Sequence, residues 1–265
     1  MLFPHDLFPQ QDFLRLRDLF ELDKPVWQTL GRLKKILKDI IVPNLGALVP
    51  AQPLEEGLVL IEGEIIPQKE VDIEFGDATK GNLKVWYKGR ALQGASVLCA
   101  GAVFMDQDIE IGKGVLIEPG ALIKGPTVIG NYTEVRQGAY IRGNCFVGEK
   151  CVVGHTTELK STVMLDGSKA GHFAYIGDSI LGLEVNLGAG TKLANLKLRG
   201  TNIKIRLDNQ LIDTGLRKLG AILGDKVQTG CNSVTNPGTI VGPESLILPN
   251  TTVGPGVFPP RSFLR

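Results

Sequence analysis

Branched aliphatic side chains recur at every sixth position from Ile111 through Ile117, Ile123, Ile129, Val135, Ile141, Val147, Val153 and Leu159 to Leu165. A helix repeats its buried face every 3.6 residues and cannot generate this spacing. Four places after each aliphatic stands a small or β-branched residue: Val115, Ala121, Thr127, Thr133, Ala139, Cys145, Cys151, Thr157 and Val163. One large and one small side chain per six residues suits a short flat face, and three such faces close one triangular coil. Coils then pair strand on strand along the stack. The pattern predicts a mainly β fold, a left-handed parallel β-helix of hexapeptide repeats. Gly112, Gly130, Gly148 and Gly154 directly follow the aliphatic, where a corner needs φ > 0 or close backbone approach.

The frame breaks around Gly171, where a bulge is expected, and resumes at Ile176, Leu181, Leu187 and Leu193. A stretch from about Leu196 to Gly220 carries no repeat and reads as a loop insertion, after which sixes return at Leu223, Thr229, Thr235, Val241, Ile247 and Val253. The solenoid is therefore expected over 96–265, with repeats from near Val97 to Val253 and a short tail. Ahead of it the period changes. Val26, Leu30, Leu33, Leu37 and Ile40 are spaced by three and four, with Asp23 as cap, Pro25 in the first turn and Pro43 beyond, which predicts an amphipathic helix over 25–41. A shorter helix is expected over 11–22, and LVLIEGEII, VDIEF and LKVWY, between residues 58 and 90, read as strands. Residues 1–95 are thus expected to form a small α-helical and β cap on the open apolar end of the solenoid.

Lys and Arg total 29 against 28 Asp and Glu, so no overall field draws the chain to nucleic acid or an acidic membrane, and any bound anion must be held locally. The N-terminus, MLFPHDLFPQQDF, lacks the basic-then-apolar order of a secretory leader, and no apolar run reaches the roughly 18 residues needed to span a bilayer. A soluble cytoplasmic protein is expected. Cys99, Cys145, Cys151 and Cys231 have no CxxC spacing and read as reduced, packed thiols.

The segment GSKAGHFAYIGD, where the frame breaks, contains His172, one of three histidines beside His5 and His155. An imidazole titrates near neutrality and suits removal of a proton from an attacking amine or hydroxyl. A turn histidine without catalytic duty is the competing reading, and His155 begins a hexapeptide corner.

The run from Val135 to Asn195, with VRQGAYIRG, TELKSTVMLDGSKAGHFAYIGD and VNLGAGTKLAN, resembles the C-terminal acetyltransferase half of the bifunctional sugar-1-phosphate nucleotidylyltransferase/amino-sugar-1-phosphate acetyltransferases. The stretch LIDTGLRKLGAILGDKVQTGCNSVTNPGTIVG resembles the archaeal-type members more than the bacterial glucosamine-1-phosphate acetyltransferases. The resemblance implies an acetyl-CoA-dependent N-acetyltransferase acting on an amino-sugar 1-phosphate, assembled as a homotrimer, with no metal required. It implies His172 as general base and Asn195 near the reacting centre. Arg136 and Lys160 align with cations that hold the sugar phosphate, Tyr175 and Asn186 with substrate contacts, and Lys204 with one member of a lysine pair whose other place holds Thr201. Ala189 falls where backbone meets the acetyl-CoA arm. Cys231 stands where the bacterial enzymes have serine, and Pro249 replaces a small residue, so both bear on the cofactor channel. Residues 1–95 lack a glycine-rich nucleotide loop, and nucleotidylyltransferase activity is not expected.

Two other classes remain open. One is a non-catalytic hexapeptide protein that binds a sugar nucleotide or a partner enzyme. The other is a β-helical carbonic anhydrase with zinc held by three histidines, for which only His155 and His172 lie in the repeats.

Overall fold

Each hexapeptide becomes one short strand and one corner. The computed structural model describes residues 2–10, 17–46, 48, 51–207 and 210–265. Among these, the repeats build three parallel sheets that form the walls of a solenoid. The first face runs from Ser96–Leu98 through Leu116–Ile117, Glu134–Val135, Val152–His155, Lys169–His172 and Asn186–Leu187 to Phe263–Leu264. The second includes Tyr140–Ile141, Glu158–Lys160, Tyr175–Gly177 and Lys192–Leu193, and the third includes Thr127–Ile129, Cys145–Val147, Thr162–Met164 and Ile180–Leu181. Ile123, Ile141, Leu159, Ile176 and Leu193 stack in register inside the second face, all essentially inaccessible to solvent.

The small interior residues seal the corners. Thr133 Oγ1 donates to the Gly148 carbonyl at 2.8 Å and accepts from the Cys151 amide at 3.0 Å, so its hydroxyl is satisfied without water. Cys145 and Cys151 occupy equivalent places, and burial pushes both thiols up to about 12. Cys99 is half-buried, whereas Cys231 is exposed, against the expectation of packed thiols throughout. Gly112, Gly130 and Gly148 serve close approach: a Cβ on Gly130 would stand 2.4 Å from the Gly148 backbone. Positive φ falls two residues later, at Gly114, Tyr132 and Lys150.

No bulge forms at Gly171. The frame is lost through two five-residue steps, Leu159 to Met164 and Ile176 to Leu181, because Val147, Met164 and Leu181 are register neighbours on the third face. Met164 therefore fills the interior, and Leu165 turns outward into a second apolar cluster. The stack continues past Val253 with Gly256–Phe258 and Phe263–Leu264. Within 196–220 the chain forms an antiparallel hairpin, Lys204–Leu207 with Gln210–Asp213.

The N-terminal residues do more than cover an end. The hairpin Leu58–Ile61 and Glu64–Pro67 adds antiparallel strands to Ser96–Leu98, and Leu45 and Leu60 join the central core there. The helix Gln28–Ile40 instead lies along the third face, where Leu33, Ile36 and Leu37 join Val163, Ile180, Ile222 and Ile240 in one apolar cluster. It begins after a tight turn in which the Gln28 amide reaches the Pro25 carbonyl at 2.9 Å, so Asp23 is not its cap. In the expected helix over 11–22, residues 11–16 lie outside the described set, and 17–22 are turn and irregular chain. A three-stranded sheet, Val71–Glu74, Lys84–Tyr87 and Arg90–Ala91, covers the upper first face by packing Ala78 and Val85 on Val97 and Leu116. These additions leave the outward residues of the second face at least partly accessible from Leu122 to Lys192, while Thr79 and Lys80 of the loop reach Lys169 and Asn186 on the lower first face.

Candidate functional site

His172 ends the strand Lys169–His172 and is exposed at the corner between the first and second faces. The corner is a hydrogen-bonded column. Thr156 N donates to Gln137 O, Phe173 N to His155 O, Gly190 N to His172 O, Asn232 N to Ala189 O and Asn250 N to Cys231 O, at 2.8–3.3 Å. Four residues singled out by sequence, His172, Ala189, Cys231 and Pro249, therefore stand one above another on a single edge. The exposed Phe173 ring lies between the histidines, 5.2 Å from His155 edge-on and 6.2 Å from His172. His155 Nδ1 is 3.0 Å from the Gln137 carbonyl.

A second cluster occupies the far side of the second face. Lys160 Nζ donates to both oxygens of Asp178, at 2.8 and 2.9 Å. The Asn195 amide donates to Asp178 Oδ2 at 2.5 Å and hydrogen-bonds Tyr175. Burial, then the charges of Glu158 and Asp178, holds the Tyr175 phenol above its ordinary value. Arg142 follows Tyr140–Ile141 as Lys160 follows Glu158–Leu159, one coil earlier in register, and pairs with Glu158 at 2.7 Å. Both cations thus carry carboxylate partners while retaining spare N–H groups for an anion.

Arg136 belongs elsewhere. It lies on the first face, where its Nε and Nη2 chelate Glu134 Oε2 at 2.9 and 2.7 Å beside a cavity of about 670 Å³ that also touches Phe75 and Cys99. The residue that the repeat geometry places beside Lys160 is Arg142, 18 positions before it, and that spacing was its signal in the sequence. Asn186 sits in register with Lys169 on the first face, apart from Tyr175. Lys204 is exposed on the inserted hairpin, 3.9 Å from Asp213, with no contact to Lys160 or Asn195 among the described residues. His172 and Asn195 lie on opposite edges of the second face. The six positions from His172 to Asp178, which Asn195 contacts, span roughly 15–20 Å at about 3.3 Å per residue.

The resemblance in sequence can now be set on this geometry. Residues 123–236 match the family model described as the GMPPB C-terminal domain. A bifunctional sugar-1-phosphate nucleotidylyltransferase/acetyltransferase of Sulfurisphaera tokodaii is 40% identical over 107 residues, 39% of this chain and 27% of that protein. The bifunctional protein GlmU of Methanococcus maripaludis strain C7 is 36% identical over 99 residues, 37% of this chain and 24% of its own length. The GlmU of Geotalea uraniireducens is 29% identical over 196 residues, 72% of this chain and 34% of its length. The solenoid is homologous to the GlmU-type sugar-1-phosphate acetyltransferase domain. The chain spans only about a quarter to a third of these curated relatives. No group of three metal-ligating side chains stands together among the described residues; His155 and His172 are register neighbours, while His5 stacks on Phe3 in the N-terminal segment. No described helix is long and apolar enough to cross a membrane.

Proposed function

We propose that the protein is an acetyl-CoA-dependent N-acetyltransferase acting on an amino-sugar 1-phosphate. The observation that carries this reading is the exposed imidazole of His172 in one column with Ala189, Cys231 and Pro249, a continuous edge along which an extended thioester arm can lie. The neutral amine attacks the thioester carbonyl, a C–N bond forms and the C–S bond breaks. His172 accepts the proton leaving nitrogen and passes it to the departing thiolate, so no nucleophilic cysteine is needed. Arg142 and Lys160 hold the sugar phosphate through charge-assisted hydrogen bonds, and Tyr175 and Asn195 orient the sugar.

Because His172 and the Lys160 cluster are separated by a face within one chain, the site is proposed to form between copies. A homotrimer would set the corner of one copy against the second face of its neighbour. Assay of thiol release from acetyl-CoA with glucosamine 1-phosphate and galactosamine 1-phosphate tests this reading. His172→Ala is expected to lower turnover by about 10²–10⁴-fold. Equal and negligible turnover by both proteins would favour instead a non-catalytic hexapeptide protein that binds a sugar nucleotide or a partner enzyme, a reading supported by the carboxylates that already neutralise Arg142 and Lys160.

A further inference from the structure

The loop between Glu74 and Lys84 crosses the first face and is fixed there at one point: the fully buried Ala78 donates its amide to Glu134 Oε1 at 2.9 Å. On the side of the loop away from Arg136, a trough opens along the corner between the first and third faces. It has two compartments that share Lys80 and Lys150.

The larger compartment, about 440 Å³, is bordered by Lys80, Lys150, Lys169 and Asn186. The three ammonium groups come from separate elements: the loop, a corner and the next coil. Lys80 is paired with Asp77 at 3.0 Å, whereas Lys150 and Lys169 have no acidic partner among the described residues. Glu184 is the one carboxylate lining this compartment, and its own neighbour is Lys226 at 4.0 Å. Cations held around one space repel each other, and a ligand carrying two or more negative charges removes that repulsion.

The smaller compartment, about 340 Å³, changes character. Leu83 and the Tyr132 ring supply apolar wall, and the exposed Gln93 amide supplies one donor and one acceptor. A charged pocket opening into an apolar one edged by an amide matches a diphosphate joined to a planar heterocycle. Lys169 stands at the opposite end of its strand from His172, so the trough is separate from the proposed acyl-transfer edge. We infer that this trough binds a nucleoside diphosphate or its sugar ester, the diphosphate held by Lys80, Lys150 and Lys169 and the base against Tyr132 and Gln93.

Isothermal titration of the full chain with GDP, UDP and inorganic pyrophosphate tests the inference. At least one nucleotide is expected to bind, and the double variant Lys150→Asn, Lys169→Gln to weaken it by about tenfold or more, since each tenfold corresponds to loss of one good contact. Asparagine keeps the positive φ of position 150 accessible. Gln93→Ala and Tyr132→Asn are expected to weaken the nucleotide and leave pyrophosphate unchanged, and His172→Ala to leave both unchanged. That last arm separates this site from the acyl-transfer reading, which can fail without it. No heat with either nucleotide at millimolar concentration, or equal affinity in wild type and the lysine double variant, overturns the site. Pyrophosphate binding as tightly as both nucleotides overturns the base compartment.

Discussion

Glu134 and Ala78 are joined across the boundary between solenoid and outer sheet, a buried carboxylate accepting a backbone amide at 2.9 Å. The same carboxylate is held by Arg136, so one residue fixes the loop over the first face and neutralises a half-buried cation. Glu134→Ala leaves the Ala78 N–H and the guanidinium without partners and is expected to cost about 2–4 kcal/mol in urea unfolding. Limited proteolysis should then cut within 75–82. Glu134→Gln, which keeps an acceptor for Ala78, should lose less.

What was legible in the sequence followed from what repeats. The interior column Ile123, Ile141, Leu159 and Ile176 is fixed by packing alone, so its period was visible. The five-residue step was not, because Leu165 stands six after Leu159 and Met164 six before Ala170, and both are apolar. The lateral course of the N-terminal helix had a signal: Val128, Phe146, Val163 and Ile180 form an outward apolar column that requires a cover. Helical periodicity shows that a face is buried, never against what. Arg136 and Arg142 differ by one hexapeptide, which rotates a side chain from one wall of the coil to the next, and only the register separates them.

The register yields a contrast between those two arginines. Arg142→Ala is expected to raise KM for the amino-sugar phosphate by about 10–100-fold, the loss of one charge-assisted contact, with a smaller change in kcat. Arg136→Ala should leave KM within about twofold while lowering thermal stability, since its carboxylate partner stays buried. A KM response to Arg136 alone would return the phosphate to the first face.

Asp225 ties the N-terminal segment to the coil, accepting from Leu183 N at 2.8 Å and Gln10 N at 3.2 Å. Burial raises its carboxyl to about 6, against these hydrogen bonds, from an ordinary value near 3.8. The folded state therefore takes up the proton first as pH falls, so this group opposes folding above about pH 6 and ceases to do so below about pH 4. Stability from this source should fall by up to ~3 kcal/mol as pH rises from 4 to 7. Comparing unfolding free energies of wild type and Asp225→Asn across that range checks the sign: the difference between them should change most between pH 4 and 6, and a constant difference would refute the assignment.

Phe173 adopts φ +53°, a conformation that costs a non-glycine residue about 1–2 kcal/mol, and leaves its ring in solvent between two imidazoles. The left-handed conformation belongs to the corner, since Thr156, Gly190, Asn232 and Asn250 in the same column share it, so what is particular to Phe173 is the ring beside His172. Phe173→Gly relieves the backbone and should raise the unfolding free energy by ~1 kcal/mol, part of the gain being offset by chain entropy. Removal of the ring frees His172 to rotate, and kcat should fall by about tenfold with KM for the acceptor little changed, because orientation of the base acts at the chemical step. Phe173→Tyr, with the same ring and backbone, should restore turnover without restoring stability beyond wild type. A glycine variant that is stabilised and fully active would show that the ring has no part in holding the imidazole.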